Sequence, residues 1–176
     1  LQARQYTKAV VDDLDDSQWR VPRLDIVNPT LWELGHIGWF MEYWALRWRG
    51  PDRAPLAPIF EHADRWWDSR YVPHETRWDL DLPTRTATWG FLDNVLDAAL
   101  EHLEKPAPQQ TLYFLQLALY HEQMHAEAFA YSRQTCGYPE PPTARNPVSA
   151  SAGEIRLEGG TFERGAPAEE NGFVFD

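Results

Sequence analysis

The strongest constraint on this chain is the stretch from Gln109 to Cys136, which contains neither proline nor glycine and ends at Gly137. Pro106 and Pro108 stand just before it, so the pattern predicts one long helix with a sharp start and a glycine stop. Within it His121 and His125 are four residues apart, which places both imidazoles on one side. Leu117, Ala118, Ala128 and Phe129 share that side, so the rings point inward against whatever the helix packs on. A buried imidazole must satisfy both ring nitrogens and is costly to bury charged. Two of them on one apolar stripe fit a metal role better than a purely structural one.

Three further helices are expected. Residues 3–19 carry a modest apolar stripe through Ala9, Val10 and Leu14. The run from Leu31 to Gly50 is free of proline; Asn28 is suited to cap it and Pro29 to occupy its first position. Its glycines, Gly35 and Gly38, flank His36 and cost helix stability, which fits a close approach by another helix or a ligand. Thr84 or Thr86 can cap a further helix reaching Lys105, with Leu92, Val95, Leu96, Ala99 and Leu103 as its core positions. Between these, residues 51–83 hold five prolines and form a long crossover that is rich in Arg and aromatic rings. Long loops of that kind are more often functional than idle.

The expected fold is therefore mainly α: a four-helix bundle over 1–138, with the crossover between its second and third helices and a core able to hold a metal. A Pro-rich linker follows over 139–152. Then "EIRLEGGTFERG" reads as two short strands around Gly159 and Gly160, the first strands of a truncated α+β domain over 153–176. Both ends read as cut.

Net charge is −11, with 27 acidic against 16 basic residues, and no local cluster of Lys and Arg offsets it. A polyanion is repelled by such a field, which argues against nucleic-acid binding. All but two of the basic residues are Arg, the side chain suited to bidentate pairing with carboxylates. Cys136 is the single cysteine, so neither an internal disulfide nor a thiolate cluster is available. No apolar run nears the ~20 residues that span a bilayer, and no signal peptide opens the chain, so a cytoplasmic protein is expected.

His121-Glu122-Gln123-Met124-His125 matches HExxH, the usual zinc helix of a metalloprotease. That reading requires a third ligand beyond the helix and a strand to hold peptide. No histidine follows His125, and no sheet precedes the helix. His36 supplies a simpler third ligand, because it lies among Trp32, Phe40 and Tyr43 on the apolar stripe of the second helix. Glu33 and Glu122 are candidates to orient the rings through hydrogen bonds. His62, His74 and His102 read as surface residues. Imidazole suits zinc, copper, iron and nickel alike, so the ligand set leaves the metal open.

Three segments together, "NPTLWELGHIGWFMEYW", "DSRYVPHETRWDLDLP" and "YHEQMHAEAFAY", resemble the DinB-like four-helix domain of ergothioneine-biosynthesis sulfoxide synthases of the EgtB type. The tail from Gly153 resembles the opening of the formylglycine-generating-enzyme-like domain that follows in those proteins. The resemblance implies a mononuclear non-haem iron(II) held by His36, His121 and His125. It further implies an O2-dependent enzyme joining a thiol to the imidazole carbon of hercynine, or a selenosugar selenium in the selenoneine synthase branch. Catalytic residues would then lie in the C-terminal domain beyond this chain.

The chain departs from the family pattern at Met124, where sulfoxide synthases often carry Gln, and at the paired Trp66 and Trp67. Those departures leave sulfur and selenium donors both open. Trp and Tyr faces suit the quaternary ammonium of hercynine, and Arg70 and Arg77 can clamp a substrate carboxylate or pair with a neighbouring Asp. A metal-dependent thiol transferase of DinB type, an HExxH zinc hydrolase and a non-catalytic helical module are the alternatives.

Overall fold

The computed structural model describes residues 1–104, 106–143, 153–162, 165 and 173–174. Five α-helices are formed: α1 (Gln2–Val11), α2 (Thr30–Met41), α3 (Ala63–Trp67), α4 (Arg85–Leu103) and α5 (Gln109–Thr135). α2 packs against both α4 and α5, and α1 lies on α5. These four are the expected bundle, while the short α3 sits in the crossover and packs on α2. The core is built from Val10 and Val11 of α1, Leu34 and Ile37 of α2, Phe91, Leu92 and Val95 of α4, and Phe129 of α5. No helix among the described residues is long and apolar enough to cross a membrane.

Several boundaries differ from the sequence pattern. α1 stops at Val11 rather than near residue 19, because Asp15 folds the following segment into a turn. Its Oδ1 accepts from the backbone N–H groups of Ser17 and Gln18 and from the Ser17 hydroxyl. Such side-chain bonds offer the backbone an alternative to the helix. α2 begins one residue later than expected, with Pro29 itself as the N-cap. Asn28 does not cap it and instead accepts from Arg77 at 2.6 Å. At Met41 the α-helix gives way to π turns over Glu42–Arg47. In α4, Thr84 caps as expected, its Oγ1 accepting from the N–H of Ala87 at 3.2 Å. Leu96 is only half-buried and Leu103 is exposed, so the core stripe ends at Ala99. α5 closes at Thr135, and Gly137 takes the positive φ of +70° that favours glycine after a helix.

The expected strands are not formed: residues 153–162 carry no strand and are exposed. The rest of the expected C-terminal segment lies largely outside the described residues, as does most of the Pro-rich linker.

Both glycines of α2 admit close neighbours. A Cβ on Gly38 would come within 2.9 Å of Leu92 and Phe91 on α4, and one on Gly35 would fall inside the indole of Trp67. Trp67 is fully buried and has nowhere to retreat. Gly35→Ala is therefore expected to lower unfolding stability by about 1–3 kcal/mol, read as a shifted urea midpoint. An unshifted midpoint would show that Trp67 repacks freely.

Buried arginines lock the helices together. Arg4 on α1 donates through Nε to Glu122 Oε1 at 2.8 Å, through Nη2 to Glu122 Oε2 at 3.3 Å, and through Nη1 to the Leu92 carbonyl at 2.7 Å. Arg133 near the end of α5 holds both Asp13 oxygens at 2.7 and 2.8 Å and the Val10 carbonyl at 2.9 Å. The second contact places a cation at the C-terminal end of α1, where the helix dipole favours it.

Candidate metal centre

His36 on α2 and His121 and His125 on α5 converge in the bundle core, each buried. One nitrogen from each ring lies within 4.8 Å of the other two. A single ion with metal–nitrogen bonds of about 2.1 Å bridges nearly that span. Two tautomers are fixed by partners that can only accept. His36 Nδ1 donates to the Trp67 carbonyl at 2.7 Å, and His125 Nδ1 donates to Glu33 Oε1 at 2.6 Å. In both rings the proton is thereby held on Nδ1, leaving the Nε2 lone pair free. His121 Nε2 faces His125 Nε2 at 3.2 Å, while its Nδ1 is buried without a hydrogen-bond partner. With the His121 proton shifted to its Nδ1, all three rings turn a lone pair to one point, a donor set that fits a divalent cation.

The surroundings keep His36 and His121 neutral. Burial pushes His36 down to about 3, with the nearby His125 adding to the effect. Burial likewise holds His121 far below the ordinary imidazole range. A histidine with a folded value below its unfolded ~6.5 adds stability above that pH and loses it as the pH falls towards the folded value. The metal-free chain should therefore weaken steadily from pH 6.5 to 4, by up to about 1.4 kcal/mol per pH unit for each such ring. Urea midpoints taken across that range measure the slope, and a flat profile would show that the rings are solvated.

Glu33 Oε1 accepts from His125 Nδ1 across the bundle rather than from His36 on its own helix. Replacing it with Gln keeps an acceptor and removes the charge. Glu33→Gln is expected to weaken metal affinity roughly 10–100-fold, measured by titration against a competing chelator. Unchanged affinity would show the contact to be incidental. Glu122, the other candidate, does not orient a ring: both its oxygens accept from Arg4. A carboxylate so occupied at 2% exposure is poorly placed to act as a protease base.

Aromatic rings pack around the histidines. Trp32 stacks on His36 with centroids 5.0 Å apart, and Phe40 stacks on His121 at 3.7 Å. A pocket of about 460 Å³ opens beside His121, with walls from Phe40, Trp44, Phe114 and Met124. Met124 thus adjoins the centre. Arg77 lies over the Trp32 ring at 3.7 Å, and among the described residues it forms no ion pair. Arg70 is instead tied to the buried Asp68, with Nε–Oδ1 at 2.9 Å and Nη2–Oδ2 at 2.7 Å. The pairing reading of Arg70 is the one the geometry supports.

Of the remaining histidines, His62 and His102 are exposed. His74 is half-buried, with Nε2 bonded to the Val27 carbonyl at 2.7 Å, and serves the crossover. The Trp67 carbonyl is a member of the site that sequence reasoning missed, and a backbone atom leaves no residue-type signal. Phe40, in contrast, lies one turn beyond His36, so the same stripe that exposes the histidine also points to it.

Comparison with known proteins yields a family model described as the DinB superfamily, which matches residues 1–129. Two curated relatives are both named hercynine oxygenase. The protein from Mycolicibacterium thermoresistibile is 28% identical over 127 residues, covering 72% of this chain and 28% of its own length. The one from Mycolicibacterium smegmatis is 29% identical over 126 residues, covering 71% and 28% respectively. The chain thus spans about 28% of the length of each.

Proposed function

This chain belongs to the DinB superfamily, and from that premise we propose that it is the metal-binding part of an iron(II)- and O2-dependent synthase. The reaction would join a thiol sulfur or a selenosugar selenium to the imidazole carbon of hercynine. The observation that carries this reading is the convergence of His36, His121 and His125, two of them with Nδ1 protons already engaged. The name of the two relatives supplies the substrate class.

When bound, iron(II) would supply dioxygen activation and a coordination site for the thiolate or selenolate donor. The chain's own residues do the rest. Glu33 and the Trp67 carbonyl hold ring protons at Nδ1 of His125 and His36, which fixes the direction of both lone pairs. The pocket beside His121 offers Phe40, Trp44 and Phe114 to a quaternary ammonium, which aromatic faces attract. Met124 fills its rim where a hydrogen-bonding side chain would otherwise steer the ligand, so donor choice is set by shape and polarisability there. Arg77, unpaired with a carboxylate among the described residues, is the residue proposed to receive a substrate carboxylate.

Residues 1–138 would act as a DinB-like domain and 139–152 as a linker. Residues 153–176 would open a formylglycine-generating-enzyme-like domain that carries the catalytic groups. The short coverage of the relatives is consistent with that division.

The decisive test is mass spectrometry of products from the complete gene product supplied with hercynine, oxygen and competing thiol and selenosugar donors. A new carbon–chalcogen product that needs both iron and oxygen is expected. Product formation without oxygen would favour a metal-dependent thiol transferase instead.

A further inference from the structure

The chain holds nine tryptophans, more than the histidine site uses. Trp39, Trp44 and Trp48 line α2, the π turns that extend it, and their end. With Tyr43 they form a continuous series. His36 stacks on Trp39 with centroids 5.6 Å apart, and Trp39 stacks on Tyr43 at 5.2 Å. Tyr43 meets Trp44 at 5.1 Å, and Trp44 meets Trp48 at 5.1 Å. Trp39 and Tyr43 are buried, whereas Trp44 and Trp48 are half-buried. The series thus starts on a ring of the metal centre and ends at the surface.

The π turns add a second contact to it, from Tyr43 directly to Trp48. In an α-helix the facing neighbours are three and four residues apart. Here residues five apart meet: Arg47 with Glu42 at 3.5 Å, and Tyr43 with Trp48 at 6.2 Å. Insertions of π geometry are frequent at functional sites. A second series, from His121 through Phe40 to Trp44, contains a phenylalanine, whose ring resists oxidation.

We infer that the series His36, Trp39, Tyr43, Trp44, Trp48 is an electron relay that carries oxidising equivalents from the metal centre to the surface when oxygen reacts without an organic substrate. The inference rests on the oxygen-dependent reading above. Charges along the path fit such a role. Trp39 Nε1 donates to Asp64 Oδ1 at 2.7 Å, and Arg47 holds that carboxylate through two bonds of 2.7 Å. That carboxylate is an acceptor with which an oxidised Trp39 can share its indole proton, while the Arg70 guanidinium lies 5.8 Å from the same ring. Two guanidinium groups face Tyr43, Arg70 at 4.7 Å and Arg47 at 5.4 Å, and they disfavour a positive charge there. Tyr43 is thus a bridge, and the charge settles beyond it.

The electron count closes. Each transfer moves one electron inward from Trp48, and four such electrons with four protons reduce one dioxygen to two waters. The Trp48 radical cation releases its indole proton to water. A thiol in solution then returns one electron and one proton, and two thiyl radicals combine as a disulfide.

The test loads the chain with iron(II) and exposes it to oxygen without hercynine, with hydrogen peroxide replacing oxygen in a parallel arm. Oxygen uptake, freeze-quench electron paramagnetic resonance and peptide mass spectrometry are recorded together. An indole radical and oxygen adducts concentrated on Trp44 and Trp48 are expected. In Trp44→Phe/Trp48→Phe the adducts should move to Trp39 and His36, and iron should be lost severalfold faster. Trp48→Phe alone and Tyr43→Phe serve if the double variant melts early. Adducts scattered over the chain, or confined to the histidines in wild type and variants alike, overturn the relay. No oxygen uptake without hercynine overturns the relay, whereas failure of the oxygen-dependent reading shows separately as product formed from hercynine without oxygen.

Discussion

His125→Ala, offered iron(II) as the probe metal, is expected to retain less than about a tenth of what wild type holds, measured as metal per chain after anaerobic reconstitution and desalting. Two losses combine. The Nε2 lone pair disappears, and Glu33, 1% exposed, is left as a buried carboxylate without its ring partner. An orphaned buried acceptor costs about 1–3 kcal/mol, more when charged, so this variant should also melt earlier. His121→Ala separates the two effects, because His121 Nδ1 has no hydrogen bond to lose. It should shed iron as fully as His125→Ala while its metal-free stability falls less. Stoichiometric iron in both variants would remove the histidines from the metal centre altogether.

Arg4→Met is expected to destabilise the fold by about 3–5 kcal/mol, the cost of stranding one member of a buried ion pair. Glu122 is 2% exposed and takes two of its hydrogen bonds from Arg4, which also ties down the Leu92 carbonyl. Removing the guanidinium thus loosens α1 from α4 and α5 together. Arg4→Met/Glu122→Leu should recover most of the loss, since apolar replacements of a buried pair are often near neutral. Urea unfolding of the two single variants and the double variant closes the cycle. If Arg4→Met alone is neutral, water reaches Glu122 and the pair is not buried in solution.

Much of this architecture is legible in residue order because proline, glycine and apolar period act locally. Gly137, Thr84 and the proline-free span before Cys136 mark helix ends that the fold respects closely. The three histidines could be grouped because each sits on a stripe that only the core can cover. The π turns at Glu42–Arg47 left no such mark: α and π geometry bury overlapping faces, and no breaker residue separates them. Partner choice across the bundle was also hidden. Glu33 lies one turn from His36 in sequence, yet the register between α2 and α5 hands it to His125. Arg4 and Glu122 are 118 residues apart, and nothing short of the packed fold brings them together. The strands expected after Gly153 are not seen among residues 153–162, for a different reason. Two short strands are marginal alone and need a third or a helix to cover them, and residues 153–162 have neither.

The notch at Gly35 bears on how such a sequence can change over generations. Because the Trp67 indole occupies the space a Cβ would need, the stability cost of a change at 35 depends on which residue stands at 67. A path that shrinks the ring at 67 first meets less strain at 35 than the reverse order. The intermediate is itself exposed to selection, since the residue that shrinks also carries the carbonyl that His36 leans on.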